Sequence, residues 1–165
     1  MNTRGFTLIE LLVTVAVFII LTTLAVPAFN IYVTNNRMVS QVNSVVGALN
    51  FARSEAVKQG NYVSVCRSNG ASTPACGMGA SDWEGGWLVV DSSTNVLRAY
   101  GPLTGGNTLR GGGAITAQVT FDPNGLADRT GTLTLCDDRG APSARGIKVA
   151  RSGHVSTIKT GLSCP

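Results

Sequence analysis

Between Leu11 and Asn36 the chain carries 26 consecutive uncharged residues, preceded only by the charges of Arg4 and Glu10. As a helix rising 1.5 Å per residue the run is about 39 Å long, enough to cross a hydrocarbon core of about 30 Å. It is therefore a membrane span, a helix packed among other apolar helices, or a cleaved secretory signal with Thr23-Leu24-Ala25 as its small-residue site. Two features favour retention. A carboxylate at the bilayer centre costs about 2.5–3.5 kcal/mol on insertion scales, so Glu10 asks for a partner, and a signal peptide has no use for one. The helical pattern also continues past the cleavage site: Met38, Val42, Val45, Leu49, Ala52 and Ala56 recur every three or four residues up to a Gly60 stop. The spacing predicts one helix, apolar on all sides to Val33, amphipathic over 34–59 and kinked at Pro27, whose ring removes a donor and clashes with the carbonyl four residues back.

Beyond Gly60 the pattern changes to short β-like runs at 61–66, 86–91, 96–100, 115–122, 132–137, 147–151 and 155–160. Turn signals separate them at Asp91-Ser92-Ser93-Thr94-Asn95, Asp122-Pro123-Asn124-Gly125 and Ser152-Gly153, and Gly111-Gly112-Gly113 reads as a flexible turn. With 165 residues the chain holds one ordinary domain plus an appended element. The fold class expected is α+β: a long amino-terminal helix whose amphipathic half covers a carboxy-terminal antiparallel β domain.

Catalytic signatures are missing. There is one His, no H-E-x-x-H, no phosphate-binding P-loop and no nucleophile elbow, so the residues give no support to an enzyme and imply no cofactor. Asp137-Asp138 reads as a solvated turn or cap. From Arg129 onward six cations, Arg129, Arg139, Arg145, Lys148, Arg151 and Lys159, stand against two aspartates, a net +4 equal to that of the whole chain. Convergence of Arg139, Arg145, Lys148, Arg151 and Lys159 on one face would make a phosphate-binding surface for DNA; otherwise they are a solubilising surface or a contact to a neighbouring subunit.

Gly5-Phe6-Thr7-Leu8-Ile9-Glu10-Leu11-Leu12 resembles the class III signal of type IV pilins and type II secretion pseudopilins. The resemblance implies a leader over 1–5, cleaved after Gly5 by prepilin peptidase, and methylation of the new terminus at Phe6. It further implies an anchor over 6–33 that spans the inner membrane once and later joins the filament core, and a periplasmic β domain over 60–165. Pro27 stands where such pilins carry a kinking proline. Glu10 would then pair with the Phe6 amine of a neighbouring subunit during assembly.

Phe51-Ala52-Arg53-Ser54-Glu55-Ala56-Val57, Asp82-Trp83-Glu84-Gly85-Gly86-Trp87-Leu88-Val89-Val90 and Phe121-Asp122-Pro123-Asn124-Gly125 together resemble the GspH/FimT/FimU group of minor pilins and pseudopilins. The implied function is that of a minor type IV pilin of FimU type, a structural subunit that joins other minor pilins and the major pilin near the filament tip and primes assembly. A type II secretion minor pseudopilin shares the same anchor and scaffold. A FimT-like DNA receptor is the third reading, but its Gly-Arg-x-Arg element here reads Gly153-His154-Val155-Ser156, without either arginine.

Cys66, Cys76, Cys136 and Cys164 all fall in the half that the anchor would deliver to the periplasm, where disulfides persist. Zinc is the competing use, but there is no C-x-x-C and only His154 as a further ligand, so no metal site is expected. Four cysteines admit three connectivities; we expect Cys66 with Cys76, closing a surface loop, and Cys136 with Cys164, tying the tail to a strand.

Overall fold

A computed structural model of the protein describes residues 7–69, 75–77 and 82–164. The chain divides into two compact units, Met1–Arg37 and Met38–Pro165. Helix α1, Leu8–Gln59, begins in the first and ends in the second, with Pro27 inside it.

In the first unit, α1 is long and apolar enough to cross a membrane. Large apolar side chains on every side of the helix are exposed, from Leu8 at 76 % to Phe29 at 65 %. The hydroxyls in this stretch bond back to the helix itself, Thr14 to the Leu11 carbonyl and Thr23 to that of Ile20, at 2.9 and 2.8 Å. Self-satisfied hydroxyls remove the main polar penalty such a surface would meet in lipid or among other helices.

The second unit packs the rest of α1 on two antiparallel sheets. Its buried face is the stripe Met38, Val42, Val45, Leu49, Ala52 and Ala56, joined by Ala48. Gly60, at φ +62°, ends the helix. The Asn61 amide reaches the Ala56 carbonyl at 3.2 Å and the Gly60 amide that of Val57 at 3.4 Å, the Schellman pattern that satisfies the orphan carbonyls of a last turn.

The strands are β1 Val63–Arg67, β2 Trp87–Asp91, β3 Val96–Tyr100, β4 Thr108–Gly113, β5 Gln118–Phe121, β6 Gly131–Cys136, β7 Arg145–Val149 and β8 Val155–Ile158. One sheet has the order β3-β2-β1-β5 and the other β4-β6-β7-β8. Their inward residues, among them Val63, Val65, Trp87, Val89, Val119, Leu109, Leu133, Leu135, Ile147 and Val149, share a single core with the helix stripe. The β2–β3 turn is organised by Asp91, whose carboxylate accepts from the Ser93 and Asn95 amides and the Asn95 side chain. Those bonds, the Asn95 side chain first, hold its pKa below the usual value.

Two sequence readings need correcting. The triglycine segment is not a flexible turn but the end of β4, paired with Leu133, Thr132 and Gly131. Glycine is required there by crowding: a Cβ on Gly111 would lie 2.4 Å from the Ile115 carbonyl oxygen, and one on Gly131 2.2 Å from that of Gly112. Expected strand 115–122 starts only at Gln118, because Ile115 instead plugs the core from the preceding loop, fully buried.

Cys66 joins Cys76 across a sequence separation of 10, and Cys136 joins Cys164 across 28. The first bridge covers Leu88 and Val90 on the outer face of its sheet. The second holds the tail over β7, where a Cβ on Gly146 would sit 2.6 Å from Ile158 Cγ1 and 2.7 Å from Leu162 Cδ2. On the chain-entropy model each closure contributes roughly 3 kcal/mol. We expect the Cys136→Ala/Cys164→Ala variant to lose about that much unfolding free energy in a urea titration. A loss below about 1 kcal/mol would show that packing of Leu162 alone secures the tail.

Candidate functional site

Two regions carry the chemistry that the sequence singled out: the start of α1, and the surface assembled from the helix and the last strands. At the start of α1, Thr7 and Glu10 form a reciprocal cap. Glu10 Oε2 accepts from the Thr7 amide at 3.1 Å and from its hydroxyl at 3.0 Å, while Thr7 Oγ1 accepts from the Glu10 amide at 3.3 Å. This is a capping box, which satisfies two of the four amides that every helix start leaves without partners. One Glu10 carboxylate oxygen thus has its partner within the chain, and the Thr-x-x-Glu spacing announces it. Gly5 and Phe6 lie outside the described residues.

The helix and the β domain meet through Arg53. Its Nε donates to the Gly125 carbonyl at 3.0 Å and its Nη2 to the Ser152 carbonyl at 3.2 Å. Both acceptors belong to turns. In the first, Asp122 Oδ1 accepts from the Asn124 and Leu126 amides at 2.8 and 2.9 Å, an Asx-type closure with Pro at the second position. In the second, Gly153 stands at φ +72°, and a Cβ there would lie 2.0 Å from the Gly125 oxygen. One guanidinium therefore clasps two turns to one helix, a role that the sequence does not reveal because no local pattern marks it.

The tryptophans are core residues. Trp83 is fully buried with its Nε1 donating to the Thr116 carbonyl at 2.7 Å, and Trp87 stacks on Tyr100 with centroids 5.5 Å apart. Gly86, at φ +101°, makes the tight entry to β2, since a Cβ would come within 2.3 Å of the Tyr100 carbonyl oxygen.

The five cations do not form one face. Arg139 is held by Asp137, with Nη2 to Oδ2 at 2.6 Å, and this hydrogen bond raises the guanidinium pKa above its ordinary value. The Asp137 side chain is fully buried, so the solvated half of the reading is corrected, while the turn or cap half holds: Oδ1 accepts from the Arg139 amide at 3.1 Å. Arg151 donates to the Asp128 carbonyl at 2.6 Å beside Tyr62 and Asp122. Arg145 and Lys148 are three residues apart in β7, so strand alternation puts them on opposite faces, and Lys148 is exposed beside Ser156. Only Arg145 and Lys159 share a site, a groove lined by Val39, Val42, Asn43, Thr157 and Ile158. Outside this set, Arg129 pairs with Asp128 at 3.4 Å. Gly153, which opens the Gly153-His154-Val155-Ser156 segment, is buried in the Arg53 clasp.

Comparison with known proteins gives two family matches. The family described as type II transport protein GspH matches residues 41–153, and that described as the prokaryotic N-terminal methylation motif matches residues 1–26. No protein of curated function matches the sequence. Two crystal forms of the type IV minor pilin FimU of Pseudomonas aeruginosa (strain PAO1) are similar in fold. For the P21 form the TM-score is 0.62 at 20 % identity, covering 81 % of this chain and 96 % of that one. For the P65 form it is 0.58 at 21 % identity, covering 76 % and 95 %.

Proposed function

The chain belongs to the GspH family and carries the N-terminal methylation motif, and from that premise we propose that it is a minor type IV pilin of FimU type, a structural subunit that primes pilus assembly. The supporting observation is the cap at Thr7 and Glu10. Both contacts from Thr7 fall on Oε2, and among the described residues Oε1 has no partner. Glu10 can thus finish its own helix and still offer one carboxylate oxygen to a cation. Among packed apolar helices the cation at hand is a new amino terminus, Phe6 of the next subunit after cleavage behind Gly5 by prepilin peptidase.

In this reading residues 6–33 hold the chain in the inner membrane as a single span, with the β domain in the periplasm, until the helix enters the filament. The β domain then provides lateral contacts to other minor pilins and the major pilin. No catalytic step is assigned. The mature protein is expected to begin at methylated Phe6, as read by Edman degradation and intact mass, and to be recovered with sheared pili. A mature terminus at Met1 or Val26 would overturn the proposal.

A second reading, a minor pseudopilin of type II secretion, is favoured by the description of the matching family itself. Deleting the gene separates the two, since one outcome is loss of pili and the other is loss of exoprotein secretion. The dispersal of the tail cations argues against a DNA receptor.

A further inference from the structure

The groove holding Arg145 and Lys159 has a use that the pilin reading does not supply. It is lined by Val39, Val42 and Asn43 of α1 and by Thr157 and Ile158 of β8, with Val42 itself buried. Val39 is 43 % exposed. Among the described residues, neither Arg145 nor Lys159 has an acidic partner within ion-pair distance, whereas Arg129 and Arg139 each have one. Two unneutralised cations beside the exposed Val39 are complementary to an anion attached to an apolar body. The cavity, about 110 Å³, suits a headgroup rather than a whole lipid.

We propose that this groove binds the phosphate headgroup of an anionic phospholipid. The inference rests on the reading of residues 6–33 as a membrane anchor. Val39 lies only six residues beyond Val33, where the apolar character of α1 ends, and Asn43 one helical turn further on. In the membrane-held subunit the guanidinium of Arg145 forms the fork that grips phosphate oxygens, and Lys159 adds a mobile point charge. Val39 meets the glycerol and upper acyl carbons. Lys148 is on the other face of β7 and Arg139 is paired with Asp137, so neither contributes to the groove.

The test uses the full chain, inserted in vesicles of phosphatidylcholine or of phosphatidylcholine with one quarter phosphatidylglycerol, then extracted in mild detergent for native mass spectrometry. The wild type is expected to retain phosphatidylglycerol over phosphatidylcholine by about thirtyfold, the scale of two cations near an anionic surface. The Arg145→Gln/Lys159→Gln variant is expected to lose that preference and Lys148→Gln to keep it. Equal retention by wild type and the double variant overturns the proposal. Displacement of the lipid by a glutamate-rich peptide as readily as by more phosphatidylglycerol also overturns it, and assigns the groove to an acidic neighbouring subunit. Carbonate extraction of the same vesicles separates the two premises: a chain that washes off defeats the anchor reading and the groove together, whereas an inserted chain without lipid preference defeats the groove alone.

Discussion

Glu10→Gln is expected to leave membrane insertion and processing intact while lowering recovery of the subunit in sheared pili more than a hundredfold. Glutamine replaces glutamate in a capping box, so the helix start at Thr7 is retained and only the charge is lost. Removing one partner of a buried ion pair costs about 3–5 kcal/mol, because the other charge is left without compensation, and about 3 kcal/mol is already more than a hundredfold in an equilibrium. Glu10→Val removes cap and charge together and is expected to insert at least as well, since it relieves the cost of a carboxylate in the apolar run. Normal pilus recovery of the Gln variant with loss only in the Val variant would mean that Glu10 serves as a cap and that no intersubunit pair forms.

The largest effect on stability is expected at Gly153. Its left-handed backbone costs an L-residue about 1–2 kcal/mol, and overpacking adds about 1–3 kcal/mol. In Gly153→Ala the new methyl would lie 2.0 Å from the Gly125 oxygen and 2.8 Å from Arg53 Nε, so accommodating it opens the clasp as well. The sum, about 2–5 kcal/mol, is a large part of the 5–15 kcal/mol that holds a typical domain. Gly60→Ala is the control: Gly60 is left-handed at φ +62°, and a methyl there would meet nothing within 4 Å, so this variant isolates the backbone cost. Urea titration of both variants should give a larger loss at Gly153 than at Gly60. Equal losses would show that the two turns give way cheaply and that Arg53 does not clasp them.

Whatever depends on period and on local turn chemistry is legible in the sequence. The stripe from Met38 to Ala56 is the buried face because a 3.6-residue repeat admits one such face, and Gly60 ends the helix because the Schellman turn needs a left-handed residue. Strand β4 is hidden because three glycines carry no β signal. Their presence follows from the approach of the Ile115 carbonyl and of Gly131, which only the folded chain brings near. Asp137 misleads for the complementary reason: adjacent aspartates look solvated, and the nearby Arg139 that makes burial tolerable gives no periodic signal. At the candidate site the Thr7–Glu10 spacing is readable, whereas the separation of Arg145 from Lys148 requires the strand boundaries of β7.

Arg53 spans 72 residues to Gly125 and 99 to Ser152, so its two bonds join distant parts of the β domain's sequence to the helix. Contacts of such separation form late, after most of the loop-closure entropy has been lost. The clasp therefore completes the cover over the apolar stripe from Met38 to Ala56 only when both turns are in place to receive Arg53. Until then that stripe is the surface most open to aggregation, so slower closure of the clasp means a longer exposure.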